Sequence, residues 1–265
     1  MVANKKLFKF NRRSFAYPYI VLGIVFVFVP LLLVLFYAFT NQDGGFSLEN
    51  LGEIVSSKLT YKILGDSILL AFLTSLICLI LAYPLALILS NAKFNRSKTI
   101  VLIFVIPMWI NFLLRTYALR ELLSLMGVGV GYGAVLTGMV YDFFPFMLLP
   151  LYTTLSSLDK SHIEAGSDLG ATPVQNFFKV ILPLSIPGII SGTLMTFMPA
   201  LSTFAINDLL GNAGLYLFGN WINDYYKEMW NFAGALAFVM LIFVALIMLG
   251  IGKVNGNGDN ANATV

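Results

Sequence analysis

Glu164, Asp168 and Lys179 stand within EAGSDLGATPVQNFFKVILP, residues 164–183, beside Ala165, Gly166, Gly170, Ala171 and two prolines and between two long apolar runs. Charged groups mixed with small residues suit close polar contact with another protein rather than bond-making. Two further ionisable groups, Arg115 and Asp142, fall in apolar surroundings. There a charge costs about 2.5–3.5 kcal/mol on insertion scales, so such groups have a partner or line a wet path. Other chemistry is sparse. His162 is the single histidine, which leaves no His-based metal cluster and no Ser-His-Asp triad. No G-x-x-x-x-G-K-[ST] sequence occurs, so the chain has no Walker A loop for ATP. The glycines at 127, 129, 131 and 133 read as an outer connecting loop, and the lone Cys78 excludes an intramolecular disulfide.

The elements that position these residues follow from composition. With 58% hydrophobic and 11% charged residues in 265, and a mean hydropathy of +0.85, the chain exposes too much apolar surface for water and reads as an integral membrane protein. The apolar runs are unbroken rather than alternating, so they predict helices and not a barrel. A crossing needs about 20 residues. Six spans are expected, at about 18–40, 63–90, 98–118, 133–157, 184–209 and 232–254. The segment 158–183 lies between the fourth and fifth, and the Asn- and Gly-rich residues 255–265 read as a disordered tail.

Lys5, Lys6, Lys9, Arg12 and Arg13 precede the first span, which puts the N-terminus in the cytoplasm. Lys93, Arg96, Lys98, Lys160, Lys179 and Lys253 then also lie inside, for 11 of the 16 basic residues, against Lys58, Lys62, Arg115, Arg120 and Lys227 outside. Both termini are expected in the cytoplasm. The first apolar stretch is too long for a signal peptide and no small-residue cleavage site follows, so it is expected to stay as an anchor. The net charge of +3 needs no nucleic-acid partner, because the basic residues fall where topology puts them.

Within 158–183 the residues spell a helix, a turn and a second helix. Asp159 or Ser161 is a candidate N-cap, with Glu164 placed to close a capping box on Ser161. Gly170 ends the first helix, and Thr172-Pro173 starts a second that carries Val174, Phe177, Phe178 and Ile181 at helical spacing. Two readings stand: a docking surface, or an ordinary connecting loop with a surface helix.

Glu164, Ala165, Gly166, Gly170, Val180, Leu182 and Pro183 together resemble the EAA loop of ABC importer permeases, with Gly166 where alanine is commoner. The likeness extends over nearly the whole chain, through IPMWINFLLRTYAL (106–119), YDFFPFMLLPLYTTLSSLD (141–159), ILPLSIPGIISGTLMTFMPAL (181–201) and DLLGN (208–212). These strings resemble the permease subunits of bacterial spermidine/putrescine importers. The resemblance implies an all-α membrane protein with the six-helix type I ABC importer permease fold in a bacterial plasma membrane, and a transport subunit rather than an enzyme.

It further implies that 158–183 is the coupling loop. Glu164 would make polar contacts at the docking surface, or cap its own helix, and Gly170 would set the angle between the short helices. The implied partners are two ATPase subunits that hold ATP and Mg, a homologous second permease and an extracytoplasmic polyamine-binding protein. One departure bears on cargo: Ser202, Thr203 and Phe204 stand where many relatives carry Gly-Asp/Glu-Phe. A thiamine-like cation or a metal chelate is the alternative cargo, and an ATP-independent channel or scaffold the alternative class.

For a cationic cargo, Asp142, Tyr141, Trp109 and Asn111 are the candidate path residues, by charge attraction and cation-π contact. A straight span three would carry Arg115 roughly 25 Å above Lys98, close to Asp142 at roughly 24 Å above Leu158, so the two also read as partners of each other in the outer half of the bundle, with an exposed place at the interface as the remaining alternative. Asp208 is expected at the outer surface, Trp221, Tyr225, Tyr226 and Trp230 as an outer aromatic belt. Gly188 and Gly192 form a GxxxG on span five, for packing within the chain or against a second subunit.

Overall fold

In hydrocarbon the backbone can satisfy its polar groups only within a helix or a closed barrel, and the unbroken apolar runs take the helical solution. The computed structural model describes residues 16–91 and 99–262. The basic cluster at 5–13 and Lys93, Arg96 and Lys98, which carry much of the orientation argument, lie outside the described residues. Among the described residues, four helices are long and apolar enough to cross a membrane: α1 (Tyr17–Ala38), α3 (Lys58–Ser90), α6 (Tyr132–Ser157) and the Trp230–Gly250 part of α12 (Trp230–Asn262). Two bent pairs raise the number to six, α4 (Ile100–Trp109) with α5 (Phe112–Leu125), and α8 (Pro173–Leu184) with α9 (Ile186–Ser202). The short helices are α2 (Glu49–Ser56), α7 (Lys160–Asp168), α10 (Ala205–Leu210) and α11 (Phe218–Tyr226).

Several expected spans change shape. The third, read as one helix over 98–118, turns through 99° between α4 and α5. Its last turn before the break is 3-10, Ile106–Trp109 with Pro107 early in it. Ile110 is extended, and the Asn111 side chain accepts the Leu113 N–H at 2.9 Å to start a new helix. A straight-helix depth for Arg115 therefore does not hold.

The fifth, read as 184–209, ends at Ser202 with Thr203 extended, then resumes as α10. Gly219 is pressed so close that a Cβ on it would lie 2.6 Å from the Ser202 carbonyl oxygen and 2.7 Å from that of Thr203. α12 continues through Asn262 into the segment read as a tail, and 263–265 lie outside the described residues. Extending a formed helix costs less than starting one.

The chain divides into two units. One holds, of the described residues, 16–56 and 225–242. Its described part is tied by Asn231, whose Nδ2 donates to the Thr40 carbonyl and hydroxyl at 2.8 Å each, and by Gly234, packed on Tyr37 and Ala38. The other holds residues 57–224 and 243–265, with α3, α6 and α9 packed on one another. Its inner cluster gathers Cys78, Ala82, Tyr83 and Ala86 of α3 with Met147, Leu148 and Leu151 of α6. Gly188 and Gly192 face α6: a Cβ on them would lie 2.6 Å from Thr154 Oγ1 and 2.8 Å from Met147 Sδ. The GxxxG thus packs within the chain. The helices run on past Pro84, Pro145, Pro150 and Pro199.

Candidate functional site

The segment between α6 and α9 builds itself from local signals. Asp159 caps α7, its carboxylate accepting the Ser161 N–H at 3.0 Å, which holds the Asp159 carboxyl below the usual carboxylate range. Ser161 and Glu164 do not form the expected capping box, because the helix starts two residues before Ser161 could cap it. At the other end Gly170, at φ +82°, closes a Schellman turn: its N–H donates to the Ser167 carbonyl at 2.9 Å and the Ala171 N–H to that of Gly166 at 3.1 Å. Thr172 and Gln175 then form a reciprocal capping box that opens α8.

Asn176 locks the two short helices together. It is buried, and its Nδ2 donates to the Ile163 carbonyl at 3.1 Å and to Ser167 Oγ at 2.9 Å. It occupies the space where a side chain on Gly166 would stand. Glycine at 166 is therefore required by Asn176, a relationship the one-dimensional motif does not carry.

The same segment is plugged into the core by α8. Phe177, Ile181 and Leu182 pack on the α3–α6 cluster, and Phe177 meets the Tyr83 ring edge-on at 5.8 Å. The Tyr83 hydroxyl lies 2.8 Å from Ser185 Oγ, at the joint where α8 meets α9 at 61°. Val180 is half-buried and Pro183 exposed. Leu169, at 90%, Val174 and Phe178 are exposed, as are Glu164, Ala165 and Asp168. Glu164 lines a cleft of about 540 Å³ with Ser90 and Asn91 at the end of α3 and Leu155 and Ser156 of α6.

The candidate path residues separate. Asp142, 2% exposed, meets Arg115 Nη2 through Oδ1 at 2.8 Å, and its Oδ2 accepts the Thr116 hydroxyl at 2.9 Å. The Arg115 guanidinium also stands 5.6 Å from the centre of the Tyr141 ring. The pairing of Arg115 with Asp142, one of the readings of their equal height, is thus present, although the straight-helix estimate behind it fails. Asn111 is spent as the cap of α5, and Trp109, at the end of α4, is 86% exposed and not among the residues that line the Asp142 cavity. Asp208 is exposed but accepts a bond from Asn220 Nδ2, whose Oδ1 in turn accepts from Asn207. Trp221 is buried against Phe218 rather than standing in an outer belt.

A helical chain with four long apolar spans, two bent ones and a self-capped helix pair set between α6 and α9 has the architecture of an importer permease. Residues 1–254 match the family of binding-protein-dependent transport system inner membrane components, and the chain belongs to that family. It is 33% identical over 251 residues to the spermidine/putrescine transport system permease protein PotB of Escherichia coli K12, covering 85% of this chain and 91% of that one. To PotB of Haemophilus influenzae it is 33% identical over 257 residues, 88% and 90% of the two chains. To the PotB homolog of Mycoplasma genitalium it is 30% identical over 249 residues, 86% and 87%.

Among solved structures, a chain of a bacterial ABC transporter that imports the acidic polysaccharide alginate superposes with a TM-score of 0.74 at 15% identity, covering 92% of this chain and 94% of that one. A chain of the inward-facing MetNI methionine ABC transporter gives 0.61 at 20%, covering 78% and 97%. The fold is that of ABC importer permeases, and the chain is an inner-membrane transport subunit.

Proposed function

We propose that this chain forms part of the translocation path of an ATP-driven polyamine importer, with residues 158–183 as its coupling loop. The observation that carries the reading is the closed helix pair α7–α8: capped at both ends, wedged into the core by Phe177 and Leu182, and presenting Leu169, Val174 and Phe178 outward. Exposed apolar side chains on a polar, rigid segment outside the spans suit burial by a partner. In this reading Glu164, Ala165, Gly166 and Gly170 face or shape the docking surface, while Val180, Leu182 and Pro183 carry its movement to α9.

The partners are two ATPase subunits, which bind ATP and Mg, a homologous second permease, and an extracytoplasmic polyamine-binding protein. Both termini lie in the cytoplasm. ATP-driven closure of the ATPases opens the path outward, and hydrolysis resets it. Polyamine cargo is supported by the relatives named for spermidine and putrescine at about a third identity over most of the length. A different small solute, a thiamine-like cation or a metal chelate, is favoured by one observation, that Ser202, Thr203 and Phe204 carry no acidic group. Uptake of labelled putrescine and spermidine in a strain deleted for the chain decides between them: loss of polyamine uptake, restored by the gene, is expected. Unaltered uptake without a redundant importer overturns the cargo, and purification of the chain without an ATPase overturns the coupling role.

A further inference from the structure

The Arg115–Asp142 pair lies between two cavities. One, of about 320 Å³, is lined by both residues with Phe112, Phe143, Phe146 and Thr203. The other, of about 360 Å³, is lined by Arg115 again with Leu114, Leu122 and Tyr141. We infer that the first cavity binds an organic ammonium group, with Asp142 as counter-ion and the Arg115 guanidinium as a displaceable stand-in that keeps the carboxylate paired while the site is empty. The inference rests on the cationic cargo proposed above and assigns that cargo a place.

The two partners are held very differently. Asp142 is fixed through its second oxygen, Oδ2, by the Thr116 hydroxyl at 2.9 Å, and Thr116 is itself buried and turned toward the Phe112 carbonyl at 2.8 Å. The carboxylate therefore keeps its orientation whichever cation faces Oδ1. Arg115 touches it through Nη2, while its buried Nε and Nη1 have no hydrogen-bond partner. A guanidinium suited to a two-point grip is held here at one point.

The chemistry of the walls favours exchange. An ammonium group gains from aromatic faces. Three phenyl rings line the first cavity along with the carboxylate, with Phe143 and Phe146 centred 6.3 Å apart. Arg115 has a second place to go, since the Tyr141 ring 5.6 Å from its guanidinium borders the other cavity. Removing a cation from a buried carboxylate is costly, but replacing one cation by another leaves the carboxylate compensated, and the displaced guanidinium then carries its charge to the Tyr141 face. A neutral or anionic solute offers no such replacement, so the pair also discriminates cargo by charge.

The test uses the complete purified importer. Uptake of labelled spermidine into proteoliposomes, with binding protein, tests the cargo. Equilibrium binding of the same label to the detergent-solubilised complex without binding protein tests the site. The Arg115→Gln/Asp142→Asn double variant replaces the ion pair by two neutral amides, and co-purification of the ATPase reports its assembly. The site requires saturable binding to the unaltered complex, weakened at least tenfold in the double variant, with Arg115→Lys staying within about threefold. Phe146→Leu, which removes one ring and no charge, should weaken it about threefold and serves if the double variant does not assemble. Uptake without saturable binding, or binding unchanged in an assembled double variant or in Phe146→Leu, overturns the site and leaves the cargo standing. Absence of spermidine uptake by the unaltered importer overturns both.

Discussion

The Tyr83 hydroxyl and Ser185 Oγ lie 2.8 Å apart, both residues buried, and they join the body of α3 to the hinge between α8 and α9. Ser185 keeps a second bond, to the Leu182 carbonyl at 2.8 Å. Tyr83→Phe therefore removes one of two bonds and costs about 1 kcal/mol of stability. The larger effect falls on coupling: uptake per ATP hydrolysed should drop while the ATPase still co-purifies. Unchanged stoichiometry in proteoliposomes shows that the hinge bond is not used.

Gly166→Ala, the change toward the residue commoner at this place in the EAA loop, forces Asn176 out of its pocket. Both Asn176 bonds across the turn are then lost, at a cost of about 1–3 kcal/mol, and the ATPase should co-purify in reduced yield. Asn176→Ser in the same chain makes room and should recover much of that yield. If the single variant behaves as the unaltered chain, the two helices are not locked by Asn176.

Gly170→Val places a β-branched residue at φ +82°, where the left-handed conformation costs an ordinary residue about 1–2 kcal/mol and a branched one more. Membrane insertion should be normal and ATPase association lost. Gly170→Asn, which tolerates that conformation better, should retain most of it. Pull-down of the ATPase from detergent extracts of the three proteins reads the difference, and normal association of the valine variant removes the turn from the docking role.

Asp159 supplies a pH test. Its carboxyl is held below the ordinary value of about 3.9 by the Ser161 N–H, so its capping is fully present above that value and lost as pH falls through the lower, folded value. Hydrogen exchange at the Ser161 amide should be slow near neutrality and lose protection only below the usual carboxylate range. Asp159→Asn, still a good cap, should flatten the pH dependence, and Asp159→Ala should remove protection at every pH.

How much of this was legible in the sequence depended on distance along the chain. The apolar windows, the Gly170 stop and the Thr172-Pro173 start follow from runs and neighbours; the stop and the start are found in place, whereas the third and fifth spans are bent or interrupted. Asn111 is different: its position before Phe112, Leu113 and Leu114 is an N-cap signal four residues after Pro107, yet read inside an apolar window it passed as a path residue. Asn176 gave no signal, since its partners Ile163 and Ser167 become neighbours only once Gly170 has set the turn. Tyr83 and Ser185 are 102 residues apart, and only the packing of α3 against α8 brings them together. The pairing of Arg115 and Asp142 came from a shared height on two helices, and held although one of those helices is bent.

Phe177–Ile181 forms a π-helical turn inside α8. Such a turn holds one residue more than an α-helical turn, which offsets the azimuth of everything before it by about 100° from everything after it. Exposed Val174 and the residues that lead to the 61° joint with α9 are thus set at independent angles around the axis of α8. A chain without that extra residue would present its apolar knob to the side, and the partner surface would meet a different face of the same helix.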